Sequence, residues 1–192
     1  MAKEFRLQIK ILFGVVVLLW AIEIIDQLIF RGALNSFGIR PRSLPGLTGI
    51  IFAPFLHGNF AHLLANTVPL VSLGWLIMLR ETEDFFWVSV ISAIVSGLGT
   101  WLIGASTSVH IGASGLIFGY FGYLLLRGYF ERSATAIAFS LLVTFLYGGI
   151  IWGVLPTQPG VSWEGHLFGF LGGVLAARLL AKPKQPSRDF DI

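Results

Sequence analysis

Cysteine is missing from this chain altogether, and charge is scarce. Without thiols there is no disulfide and no thiolate zinc site, and the redox compartment stays open. Asp, Glu, Lys and Arg make up 12% of the 192 residues, where a soluble globular domain carries about twice that share. The sequence also lacks HExxH, so a zinc protease of that type is excluded. No small-residue cleavage motif follows the first apolar run, and no cleavable signal peptide is expected. What the chain has instead is 55% hydrophobic residues and a mean hydropathy of +0.81. That composition belongs in a bilayer.

Runs long enough to cross one, roughly 17–25 residues, fall at about 11–30, 60–79, 85–103, 115–131, 134–152 and 164–181. The expected architecture is an all-α integral membrane protein, a bundle of six transmembrane helices over residues 11–181. A cytoplasmic N-tail (1–10), a long first outer connection (31–59) and a cytoplasmic C-tail (182–192) complete it. That C-tail is polar, contains proline and is expected to be disordered. Lys3, Arg6, Lys10, Arg80, Arg127, Arg132, Arg178, Lys182, Lys184 and Arg188 fall on one side, against Arg31, Arg40 and Arg42 on the other. The positive-inside rule then puts both termini in the cytoplasm of a prokaryotic inner membrane. The net charge of +3 is an orientation signal and not a nucleic-acid footprint. Trp87, Trp101, Trp152 and Trp163 sit at span ends, as interfacial tryptophans do. Glu23 and Asp26 lie near the outer end of the first span. The last outer connection, rich in glycine and with Pro156 and Pro159, is expected to be pliable.

The polar residues that composition does not explain gather in three stretches: HGNFAHLLANT (57–67), GASG (112–115) and WEGHLFGFLGG (163–173). They open the second, fourth and sixth runs, so they share one side of the membrane. At about 1.5 Å per helical residue, His62 lies about 27 Å from Arg80, His166 about 24 Å from Lys182, and Ser114 about 20 Å from Arg127. In a hydrocarbon core of about 30 Å, all three are level and lie a few ångströms below the outer surface. Each has a plain structural reading. Ser114 with Gly115 and Gly119 makes a small-xxx-small packing face, and His62 with Asn66 can glue two helices. Gly165, Gly169 and Gly173 form a ridge that brings helices close whatever the function. Their joint occurrence says more. Ionisable groups in a membrane are costly and point to function. A serine needs a base to become a nucleophile, and His166 is the candidate. Ser114 at a helix start offers its own N–H to a developing oxyanion, and His62 and Asn66 can add side-chain donors. This is an acyl-transfer constellation that needs no metal and no cofactor.

These residues resemble the rhomboid intramembrane serine proteases, through HxxxN (His62, Asn66), GxSG (Gly112, Ser114, Gly115) and GHxxGxxxG (Gly165, His166, Gly169, Gly173). The resemblance covers about residues 50–180 and implies a rhomboid-like bundle. It implies Ser114 as nucleophile, His166 as base, and His62 and Asn66 at the oxyanion. It also implies Phe118 stacked on the histidine and His57 in a structural role. The implied partners are the lipid bilayer and a transmembrane protein substrate, cut near its outer end, with the fifth span and the next loop as gate and cap. One departure stands out. Many rhomboids carry a Trp-Arg pair in the first loop, and GIRPRSLPGLTG lacks it. No acid completes a triad, because Glu164 is placed as a first-turn acid after a Ser162 cap. Two rivals remain. An inactive rhomboid relative that binds membrane proteins would usually lack the serine or the histidine. A small transporter would put its polar residues near the midplane.

Overall fold

The computed structural model describes residues 2–157 and 160–182. Residues 183–192, most of the expected disordered tail, lie outside the described residues, as do Gln158 and Pro159 of the last connection. The described chain is nearly all helical. Six long helices dominate it: α1 (Ala2–Ile25), α2 (Phe60–Met78), α3 (Thr82–Ile103), α4 (Ser114–Glu131), α5 (Ala134–Tyr147) and α6 (Trp163–Leu180). A π-helical turn (Asp26–Phe30) prolongs α1, and a 3-10 segment (Gly148–Val154) prolongs α5. Polar caps start several of them: the Asn59 side chain accepts from the His62 N–H at 2.9 Å, and Ser133 accepts from Ala136 N–H at 3.1 Å.

Among the described residues, four helices are long and apolar enough to cross a membrane by length and composition: α1 with its π turn, α2, α3, and α5 with its 3-10 extension. The central pair, α4 and α6, is diluted by glycine and by ionised residues such as Arg127, Glu131 and Arg178. The reason is position. α4 packs against α2, α3, α5 and α6 and buries Tyr120, Phe121, Tyr123 and Leu124, so neighbouring helices shield it. The outer helices show the opposite pattern. On α5, Phe145 is 86% exposed and Leu141 66% exposed, which suits an apolar solvent.

α4 and α6 touch backbone to backbone. A Cβ at Gly169 would fall on the Gly115 carbonyl oxygen, and one at Gly173 on the Gly119 carbonyl oxygen. Helix association in lipid relies on such close packing, since no hydrophobic drive separates protein from hydrocarbon.

At the end of the bundle where α2, α4 and α6 finish, charges are buried in pairs. Arg80 meets Asp84 at 3.0 Å and Glu131 at 3.1 Å, Arg127 meets Glu131 at 3.1 Å, and Tyr123 donates to Asp84 at 3.0 Å. Arg80 also donates to the Leu180 carbonyl at 2.9 Å, tying the last turn of α6 to this cluster. Arg80 and Arg127, expected to be orientation signals, are therefore neutralised inside the bundle; Lys3, Arg6, Lys10, Arg132 and Arg178 are exposed. Glu23 and Asp26 are buried too. Glu23 accepts from Gln27 at 2.9 Å, and Asp26 accepts from the Leu34 N–H at 2.9 Å, fastening the start of the first connection.

That connection docks on α3 without a Trp-Arg pair of its own. The Arg42 N–H donates to the Trp101 carbonyl (3.0 Å), its guanidinium to the Leu102 carbonyl (3.1 Å), and Trp101 Nε1 to the Ser43 carbonyl (2.9 Å). Trp101 thus serves as an inward anchor. A β-bridge pairs Ile39 with His110, and Gly112 N–H donates to the Ala53 carbonyl at 2.9 Å. Gly173→Ala tests the helix contact. Backbone atoms cannot yield as a side chain does, so this overpacking should cost about 1–3 kcal/mol. Thermal unfolding in detergent should show a lowered midpoint, while Leu175→Ala on the exposed face of α6 should change it little.

Candidate active site

The three polar stretches meet at the end of the bundle opposite the charged cluster. Ser114 is the first residue of α4 and His166 lies in the first turn of α6. The close α4–α6 contact brings Ser114 Oγ to 2.9 Å from His166 Nε2. The other ring nitrogen, Nδ1, lies 2.9 Å from the Gly153 carbonyl. A carbonyl only accepts, so Nδ1 carries the proton and donates to it. Nε2 is left with its lone pair facing the serine hydroxyl, the arrangement needed to accept the Oγ–H. Phe118, one turn along α4, stacks on the imidazole with centroids 4.1 Å apart and planes within 8°. The ring is held on one side by an aromatic face and at both nitrogens by hydrogen bonds.

Gly112 supplies the turn before Ser114. Its φ of +115° lies in the region that favours glycine, and a Cβ there would sit 2.8 Å from His62 Cε1 and 2.9 Å from His62 Nε2. The His62 ring therefore lies directly over the turn. Asn66, one turn further along α2, faces the same turn and donates one amide hydrogen to the His62 carbonyl at 3.1 Å, leaving its second free to point elsewhere. His57 packs edge-on to His62, with centroids 5.1 Å apart. Burial and the neighbouring His62 push the His57 imidazole down to about 4, so it is neutral, and its Nε2 accepts the Ala113 N–H at 3.4 Å. The remaining glycines permit close approach. Gly115 lies against Ser96, whose hydroxyl donates to the Gly165 carbonyl at 2.8 Å, and Gly165 itself lies under Ser162 and Thr100.

A cavity of about 910 Å³ opens over these groups, lined by Ser114, His166, His62, Asn66 and Phe118 among others. Its size falls in the range of ligand sites, about 300–1,000 Å³. Among the described residues there is no group of three or more His, Asp or Glu that could hold a metal ion. The three motif stretches supply most of the polar wall, and the 105–110 segment and Ser162, which no motif marks, supply the rest. Sequence reasoning also missed the Gly153 carbonyl, the oxygen that sets the histidine's proton, and the Ala53 carbonyl that holds the GASG turn. A backbone oxygen has no residue type to reveal it. The one available signal was glycine itself, since a Cβ at 153 would lie 2.7 Å from the Phe118 ring and 3.2 Å from His166 Nδ1.

An apolar bundle thus carries a hydroxyl, an imidazole and converging donors sunk in one end, the groups that acyl transfer would require. Comparison with known proteins agrees on the class. A family model for the rhomboid domain matches residues 45–183. An uncharacterized protein of Mycobacterium tuberculosis is 48% identical over 181 residues, spanning 90% of this chain and 75% of its own. A Bacillus subtilis protein provisionally named rhomboid protease YdcA is 30% identical over 142 residues, 68% of this chain and 65% of its own. RHOMBOID-like protein 5 of Arabidopsis thaliana is 31% identical over 147 residues, 70% of this chain and 45% of its own. The chain belongs to the rhomboid family, whose members are membrane proteins and in general serine proteases, with some inactive relatives.

The hydrogen-bond pattern fixes a tautomer that can be read directly. In nitrogen NMR of histidine-labelled protein at neutral pH, His166 should show a protonated Nδ1 and a bare Nε2. The reverse assignment would remove the acceptor that faces Ser114.

Proposed function

We propose that this protein is an active intramembrane serine endopeptidase. Its substrates are transmembrane segments of other membrane proteins, cut near the extracytoplasmic end. The observation that carries the reading is the 2.9 Å contact between Ser114 Oγ and His166 Nε2, with Nδ1 occupied by the Gly153 carbonyl. In this reading Ser114 attacks the scissile carbonyl carbon while Nε2 takes its proton. The tetrahedral oxyanion faces the Ser114 N–H, a first-turn donor that the helix leaves unpaired, together with His62 and the free amide hydrogen of Asn66. The imidazolium then hands its proton to the leaving amine, giving an acyl-enzyme. Water, deprotonated by the same nitrogen, releases the acid.

All six long helices cross the bilayer in this reading. The glycine-rich α4 is surrounded by α2, α3, α5 and α6, α6 packs on α3 and α4, and both termini are cytoplasmic. The exposed Lys3, Arg6 and Lys10 of α1 and Arg132 and Arg178 support that orientation. Retention of both serine and histidine in hydrogen-bond contact favours the enzyme over a non-cutting relative.

Cleavage of a single-span reporter by protein reconstituted in liposomes tests the assignment. Ser114→Ala and His166→Ala should each reduce cleavage to background, since members of one catalytic unit act non-additively. Asn66→Ala should lower kcat by about 10²-fold, as for one lost oxyanion donor. A fluorophosphonate should label Ser114 in the wild type and fail in His166→Ala. Wild-type cleavage by Ser114→Ala would end the proposal.

A further inference from the structure

One polar patch of the cavity wall is left unused by proteolysis as described. Ser108 and His110, from the segment before Ser114, form it together with Ser162 and Glu164, from the cap and first turn of α6. Its hydrogen bonds close on themselves. The Ser108 hydroxyl donates to the Ala105 carbonyl at 2.7 Å, so its oxygen accepts from His110 Nε2–H at 2.8 Å. His110 Nδ1 then accepts from the Ser162 hydroxyl at 2.7 Å, and Ser162 Oγ accepts the Gly165 N–H at 3.4 Å. The hydroxyl and imidazole hydrogens of Ser108, His110 and Ser162 are thus spent on one another, and burial lowers His110 from its ordinary value while the Glu164 carboxylate acts in the opposite sense.

Glu164 is left over. It is 7% exposed, yet none of the side-chain hydrogen bonds or ion pairs among the described residues reaches its carboxylate. Among the described residues that line the cavity it is the one acid, and none is Lys or Arg. A helix start favours an acid in its first turn. That attraction explains an acid in open water and does not explain one only 7% exposed on a cavity wall where the neighbouring hydroxyl and imidazole hydrogens are already committed. Buried carboxylates need a cation or several donors. Two residues before His166, it lies about 3 Å nearer the start of α6 at 1.5 Å per residue. That is the direction in which a substrate leaves the apolar zone.

Resting on the proteolytic reading, we propose that Glu164 is a specificity subsite for a cationic side chain, Lys or Arg, flanking the cleaved bond on its extracytoplasmic side. A guanidinium or ammonium reaching this patch of the cavity supplies donors to the carboxylate and cancels its charge, and a neutral residue does not cancel it.

The test uses the full chain and two single-span reporters with a mapped cut, identical except for Arg or Gln at each flanking position in turn. At one position, wild type should cut the Arg form with a kcat/KM about ten- to a hundredfold higher, as for a charge-assisted hydrogen bond. Glu164→Gln should bring that ratio close to one, and Glu164→Arg should turn the preference towards a Glu-bearing reporter. Equal rates at every position in wild type, or a ratio that survives Glu164→Gln, would overturn the subsite. Binding separates this idea from the peptidase reading. The Ser114→Ala protein should bind the Arg-bearing peptide about tenfold more tightly than the Gln-bearing one, with no cutting required. If wild type cuts nothing while this difference persists, the peptidase reading fails and the subsite stands; equal binding overturns the subsite alone.

Discussion

The contact of Gly115 and Gly119 with Gly169 and Gly173 is the constraint on which the candidate site depends. Two helices carrying ordinary side chains pack with axes about 8–10 Å apart. Here peptide groups of one helix rest on peptide groups of the other. A hydroxyl on a one-carbon stem and an imidazole on a neighbouring rod then fall within one hydrogen bond. Glycine is a poor helix former, by about 1 kcal/mol relative to alanine. Its repetition at these positions is offset by dispersion over two backbones in full contact.

The two ends of the bundle solve opposite electrostatic problems. Where α2, α4 and α6 finish, Arg80 is shared among Asp84, Glu131, the Tyr123 hydroxyl and the Leu180 carbonyl. Buried charges are costly, and they are tolerated when each has several partners. Four helix ends are thereby joined, the last turns of α2, α4 and α6 and the first of α3. At the other end the groups are mostly neutral, and the joints are backbone hydrogen bonds and histidine rings around a cavity. Rigidity sits at one end and access at the other, with the candidate nucleophile on the accessible side.

Much of this was legible in the residues. The six apolar runs mark the six long helices to within a few residues, except that α1 runs well beyond its apolar stretch. The three motifs mark the side chains that converge, because hydroxyl, imidazole and amide stand out in so apolar a chain. What stayed hidden has a common cause. The Gly153 and Ala53 carbonyls act through atoms that every residue owns. Composition also misjudged environment. Arg80 and Arg127 look like residues at a membrane surface but lie inside ion pairs, and Trp101 looks like an interfacial anchor but ties down a loop. α4 reads as an ordinary span, whereas its glycines and its buried Arg127 and Glu131 suit a position screened by α2, α3, α5 and α6.

The first connection docks largely by its main chain, and that frees it from its own spelling. Ile39 pairs with His110, and Ala53 holds Gly112, through amides that are the same whatever side chain is attached. Arg42 and the tightly packed Gly38, Gly46 and Gly49 aside, where a Cβ would meet neighbouring atoms within 3 Å, such a strap tolerates replacement of many of its letters while the turn beneath keeps its shape. Divergent chains with unrelated residues in this stretch therefore belong in the same structural group, and a signature written on that stretch would pass them over.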